Sequence, residues 1–363
     1  MQINPNTLDR LYKAYQSEFE AAALAALRSG WYVLGKYVER FEKEFARFTG
    51  SKACVGLNSG LDALILAIRA LGIGEGDEVI VPANTFIATV LGVTENRATP
   101  VFVEPDEYYN LDPDKVEAAV TARTKAILCV HLYGQACRMD KIRTIAQKQH
   151  LYLLEDCAQS HGCRFDGRVT GSFGDIGCFS FYPTKNMGAF GDSGAVVTDR
   201  EDVTEKIRML RNYGSKVKYY NEIEGVNSRL DELQAALLSV KLAHMEEITL
   251  QRKQLAQVYL EGIVNGALRL PTIAPGAEHV YHQFVVYAQD RDGLQRYLKE
   301  LGIGTQIHYP VPPHLAECYR YLGYQKGDFP IAERYASHLL SLPLYNGMTE
   351  QEQDYIISAL NRY

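Results

Sequence analysis

Basic charge is in short supply along this chain. Lys and Arg total 38 against 44 Asp and Glu, a net charge of −6, whereas a nucleic-acid binder ordinarily presents a basic face. Long apolar runs are absent too; none approaches the roughly 20 residues that cross a bilayer. The N-terminal stretch has no basic segment followed by an apolar core, which argues against a secretory signal. Cysteines are few and unpatterned: seven, an odd count, with no C-x-x-C spacing. Neither a disulfide framework nor a metal site is indicated, and free cysteines in apolar runs suit a reducing cytoplasm. Two phosphate-binding fingerprints are also missing. There is no G-x-x-x-x-G-K-[ST], and Gly72, Gly74 and Gly76 precede a strand-like run instead of following one.

What is present is an ordinary soluble composition, 47% hydrophobic and 23% charged over 363 residues, enough for two domains. Short apolar, β-branched runs alternate with helical periodicity: ACVGLN, EVIVP, TPVFVEP, TKAILCVHLYG and LYLLED are separated by helix-like segments. This pattern predicts an α/β domain with a mostly parallel sheet covered on both faces. One helix start is marked by Asp112 followed by Pro113. After Ser228 a long helical stretch leads into short strands, a helix and a proline-rich loop. The division expected is a large domain over residues 1–245 and a smaller C-terminal α+β domain over 246–363.

Chemistry concentrates around Lys185. It lies in CFSFYPTKNMGAFGDSGAVVT, where an apolar run ends at Ser180 and a glycine-rich segment follows the lysine. About thirty residues upstream LYLLED ends in Asp156. A strand-end carboxylate in an open α/β sheet lies where such sheets bind ligands. A lysine that can form a Schiff base and an acid that can pair with a pyridinium nitrogen are what pyridoxal phosphate (PLP) requires. Strand alternation puts the neighbouring Glu155 on the opposite face.

Other residues carry two readings each. Ser59 and Gly60 open a helix after a strand, so they suit either a phosphate or an ordinary N-cap with Asp62 completing a capping box. Ser180 could give its hydroxyl to the same phosphate or to backbone. Gln159 could meet the cofactor's ring hydroxyl, and His161 could hold Asp156 or be a structural histidine. Phe86 could stack on a flat ring or fill the core.

Taken together, NSGLDAL, GDEVIVPANTFIAT, VHLYGQ, LLEDCAQSHG, the Lys185 segment, RNYGS and GVNSRLDELQAA resemble, in order and over nearly the whole chain, the DegT/StrS nucleotide-sugar aminotransferases. That family has the type I PLP-dependent transferase fold. The resemblance implies Lys185 as the Schiff-base lysine and Asp156 as the pyridinium partner. It further implies Gln159 at the ring hydroxyl, Phe86 at the stacking position, and Ser59, Gly60 and Ser180 around the phosphate. Leu61 stands where the family commonly has threonine, so one phosphate hydrogen bond is lost there. Asn227 matches an asparagine that reaches the other subunit's cofactor, which implies a homodimer with shared sites. SFYPTKNMGAFGD, with Tyr182, resembles the subgroup that aminates C3 of dTDP-3-keto-6-deoxyhexoses, with His308 near the sugar and glutamate as donor. Tyr182 has a scaffold reading and His308 a rigid-loop reading. Lys216, Tyr219 and Arg229 are candidate nucleotide contacts or members of a solvated loop. A C4 aminotransferase would share the cofactor residues. A dehydratase on this fold commonly replaces the lysine, and a sensor would leave the constellation idle.

Overall fold

The computed structural model describes residues 1–363. Seven strands form the central sheet: β1 (Ala53–Leu57), β2 (Glu78–Pro82), β3 (Thr99–Val103), β4 (Thr124–Val130), β5 (Tyr152–Asp156), β6 (Ile176–Ser180) and β7 (Gly194–Thr198). Their spatial order is β1-β7-β6-β5-β4-β2-β3. Only β7 runs against its neighbours; the other pairings are parallel. Parallel strands need crossovers that return over a sheet face, and the helices α1 (Gly60–Ala70) and α2 (Ile87–Thr94) provide two of them. Both faces are therefore dry. Val79, Val81, Ala126, Leu128 and Leu154 join one buried cluster, and the alternate residues Ile80, Ile127, Cys129 and Leu153 join another. This explains why the strands read as continuous apolar runs.

The long helical stretch expected after Ser228 is two helices, α3 (Glu232–Ala243) and α4 (Met245–Gly262). They break at His244, whose ring stacks on Tyr15 at 3.9 Å and bonds Glu18. Beyond α4, Leu268–Arg269, Phe284–Ala288 and Leu339–Leu342 form a three-stranded antiparallel sheet. Ile3 packs in the cluster beside this sheet and bridges Ile303. The first residues thus sit with the C-terminal unit, although sequence order groups them with the N-terminal one.

Glu155 and Asp156 leave β5 on opposite faces. Glu155 is fully buried and accepts the backbone N–H groups of Gly171 (2.8 Å), Phe173 (2.7 Å) and Gly174 (2.8 Å). It also accepts from His131 Nε2 (3.0 Å), while His131 Nδ1 accepts the N–H of Cys137. An accepting Nδ1 means that the ring is the neutral Nε2–H tautomer. The carboxylate therefore ties the turn before β6 to β5. Removing it would leave four donors, three backbone N–H groups and His131 Nε2–H, without their acceptor; Glu155→Ala is expected to lower stability by about 3–5 kcal/mol in denaturant titration.

Candidate active site

The carboxyl ends of β1, β2, β5 and β6 open on one side of the sheet, where the parallel arrangement places a crevice. A cavity of about 750 Å³ lies there, and Lys185 and Asp156 both line it.

Asp156 is buried, and both its oxygens are engaged. Oδ2 accepts from Thr89 Oγ1 (2.8 Å) and Oδ1 from the Ala158 N–H (3.1 Å). Burial raises its pKa, opposed by these two bonds and by the charge of Lys185. His161 does not hold it. That ring is fully buried between Phe179 and Phe181, near the Ser180 backbone, with neither nitrogen in a hydrogen bond. Burial, with the charge of Lys185, lowers its pKa to about 3, so it is a neutral packing residue. The holder of Asp156 is Thr89, on α2.

Lys185 keeps partial access to the cavity, but protein atoms close off most of its surroundings. Desolvation lowers its pKa to about 8, with Asp156 pulling the other way. The neutral amine is the nucleophile. Capture of the PLP aldehyde by cofactor-free protein should therefore accelerate with pH and level off above about 8, well below the 10.5 of an ordinary lysine. Stopped-flow absorbance would show a midpoint near 10.5 if the site did not desolvate the amine.

Ser59, Gly60, Leu61, Ser180, Phe86 and Gln159 line the same cavity. Ser59 caps α1 by accepting the Asp62 N–H at 3.0 Å. Its hydroxyl hydrogen remains free to donate, so the cap and phosphate readings are compatible. The capping box is incomplete, because Asp62 accepts from Ser228 Oγ (2.8 Å) instead. The first-turn N–H groups of Gly60 and Leu61 have no partner within the helix. Gly60 is required by packing: a Cβ there would lie 2.4 Å from Ser180 Cβ. Gly60→Ala should cost about 1–3 kcal/mol of stability and weaken cofactor retention, readable as a lower Tm and faster loss of cofactor on dialysis. Phe86 is 48% exposed at the start of α2, not in the core, and its ring lies 5.0 Å from that of Tyr309. The Gln159 amide is locked, accepting the Tyr133 N–H (2.5 Å) and donating to Tyr309 Oη (3.0 Å).

Tyr182 and His308 also face this cavity. His308 Nδ1 bonds Ser341 Oγ at 2.8 Å, and burial next to Lys185 lowers its pKa to about 4. It meets a ligand uncharged. Lys216, Tyr219, Asn227 and Arg229 do not line the cavity. Lys216 pairs loosely with Glu205 (3.6 Å), Tyr219 is 83% exposed beside Lys218, and Arg229 bonds Asn212 (3.0 Å). Asn227 is exposed.

An amine tuned to near-neutral pH, a pinned buried carboxylate and free donors at a helix N-terminus form a set that fits pyridoxal phosphate. Lys185 and Asp156 would engage its aldehyde and ring nitrogen, and the start of α1 its phosphate. Comparison with known proteins agrees: the DegT/DnrJ/EryC1/StrS aminotransferase family model matches residues 13–361. The chain belongs to this family. A dTDP-3-amino-3,6-dideoxy-alpha-D-galactopyranose transaminase of Aneurinibacillus thermoaerophilus is 49% identical, over 98% of each chain. The crystal structure of S. venezuelae DesV in complex with a ketimine intermediate superposes with a TM-score of 0.97 at 46% identity, covering 99% of this chain and 98% of that one. NtdA from Bacillus subtilis, with bound cofactor PMP, gives 0.90 at 32% identity, covering 98% and 83%. As a DegT/DnrJ/EryC1/StrS aminotransferase, the chain holds two site residues that sequence reasoning missed, Thr89 and Tyr309. Thr89 sits inside an apolar helix and resembles a core threonine. Tyr309 adjoins His308, and its position in the same loop was the available signal.

Proposed function

We propose that this protein is a PLP-dependent aminotransferase that delivers an amino group to C3 of a dTDP-3-keto-6-deoxyhexose. The carrying observation is Lys185 and Asp156 in one cavity, the lysine half-neutral near pH 8 and the acid fixed by Thr89. The sugar and the carbon are inferred from the 49%-identical transaminase named for a 3-amino-3,6-dideoxygalactose and from Tyr182 in the SFYPTK segment.

Bound PLP supplies an electron sink for bonds at the substrate carbon. Lys185 would hold the cofactor through its amine and, as the free amine, would be the base that moves a proton at the reacting carbon. Asp156 would face the ring nitrogen and favour its protonated form by charge. Ser59, the N–H groups of Gly60 and Leu61, and Ser180 would hold the cofactor's phosphate. Phe86 would cover the ring, and Tyr182 with neutral His308 would orient the sugar by hydrogen bonds. Walls rich in apolar side chains, such as Leu61, Leu64 and Leu132, exclude water from the reacting carbons.

L-Glutamate is the donor in this reading, and the working unit is a homodimer. Trp31, Tyr32, Phe190, Tyr213 and Tyr220 are large exposed side chains, an amount of apolar surface that suits an interface. Asn227 then reaches the partner's site, in keeping with its exposed position away from the large cavity of its own protomer. Mixing Lys185→Ala and Asn227→Ala homodimers should restore activity that each lacks, if sites are shared. To test the reaction, purified protein is given L-glutamate and a dTDP-3-ketosugar, and the product is read by NMR. A new C–N bond at C3 is expected. Turnover of a 4-ketosugar alone, with nitrogen at C4, would overturn the C3 assignment.

A further inference from the structure

Behind the Lys185 segment lies a second cavity of about 260 Å³, formed by the N-terminal residues, the 183–190 loop and the helices α3 and α4. It shares Asn6, Thr184 and Lys185 with the larger cavity. Lys185, Lys241 and Arg252 line it, and no Asp or Glu does. Lys241 and Arg252 are each 6% exposed, and neither forms a salt bridge with any acid of the protein. Buried cations are ordinarily paired. Desolvation alone lowers Lys241 to about 8 and Arg252 to about 9, with no opposing charge to hold them up.

Their donors are only partly used. Lys241 Nζ gives one hydrogen bond, to the Gly188 carbonyl (2.7 Å), leaving two N–H groups. Arg252 binds the carbonyls of Tyr281, His282 and Leu344 through Nε and Nη2, and Asn346 Oδ1 through Nη1 at 3.3 Å. One Nη1 hydrogen is left over. Thr7 also lines the cavity, and its buried hydroxyl has no partner among the protein's own groups.

We propose that this second cavity binds a small carboxylate anion, held by the Lys241 ammonium and the Arg252 guanidinium with help from the Thr7 hydroxyl. A carboxylate takes several donors at once and suits a guanidinium, and the volume accommodates a molecule of a few carbons. An aminotransferase works among such anions, because its amino acid donor and the 2-oxo acid left behind each carry a carboxylate. The site lies against the backbone that presents Lys185 and adjoins the cavity proposed for the sugar.

The test uses PLP-loaded protein reduced with borohydride, which cannot transaminate, so that binding is read without turnover. Calorimetric titration with 2-oxoglutarate at fixed ionic strength should show saturable binding. Lys241→Met should weaken it about tenfold or more, and Thr7→Val by about threefold. Tyr182→Phe, in the larger cavity, should leave it unchanged. Competition by acetate assigns the site to carboxylates in general. Competition by neither acetate nor chloride assigns it to the dicarboxylates of the reaction, and either result supports the proposal. No binding, equal affinity in wild type and Lys241→Met, loss on Tyr182→Phe, or displacement by equimolar chloride would each overturn it. Should Lys241→Met fail to fold, Thr7→Val decides alone. Failure here leaves the sugar assignment standing, since that is judged by product NMR.

Discussion

Lys185→Ala protein is expected to lose amino transfer by about 10³–10⁴-fold or more while still binding PLP noncovalently. The size of the effect follows from what surrounds the lysine. It is the only Lys or Arg lining the larger cavity, so no other amine can stand in. The two histidines that share the wall are poor substitutes. Burial takes His308 down to about 4 and His282 well below the ordinary histidine range, and both are too weakly basic to carry the proton. Single-turnover measurements with amine-loaded cofactor and ketosugar isolate this step. A small added amine such as methylamine should recover part of the rate. Retention of more than about a tenth of wild-type activity would remove Lys185 from the chemistry.

Asp156→Asn should lower the rate by about 10²–10³-fold, the scale seen when one preorganised charged or polar partner is lost. Asparagine preserves the shape and can keep the Thr89 contact, but it cannot hold a proton on the ring nitrogen by charge. The absorbance of the bound cofactor should shift along with the rate, which separates this effect from misfolding. Thr89→Val should give a smaller loss in the same direction, because the acid stays but one of its two anchors goes. Equal rates for wild type and Asp156→Asn would mean that the ring nitrogen needs no carboxylate.

Much of this site was legible in the sequence because its parts are local. Asp156 and the Ser59–Gly60 turn stand at a strand end and a helix start that hydrophobic patterning alone locates, and Lys185 lies on the turn five residues after the strand that ends at Ser180. Parallel topology then brings such ends to one edge. What was illegible depends on contacts between distant residues. Thr89 reaches Asp156 across 67 positions and Gln159 reaches Tyr309 across 150; no short window contains either pair. His161 kept two readings for a similar reason, and the structural one holds. Proximity in sequence to Asp156 suggested a partner, but the chain turns the ring between Phe179 and Phe181. Gly60 was read as room for a phosphate, and the nearer cause is Ser180 pressed against it. The break at His244 was hidden because helical periodicity continues on both sides of it.

Glu155 and Asp156 occupy consecutive positions on β5 and do unrelated work on opposite faces. A slip of one residue in that strand would exchange them, turning the anchoring carboxylate toward the cofactor and the cofactor's carboxylate into the turn before β6. Both jobs would fail together, although two acids would still be present. Point changes around the cavity can retune which sugar enters. A single inserted residue within Tyr152–Asp156 has no such latitude, because it reverses the faces of both acids at once.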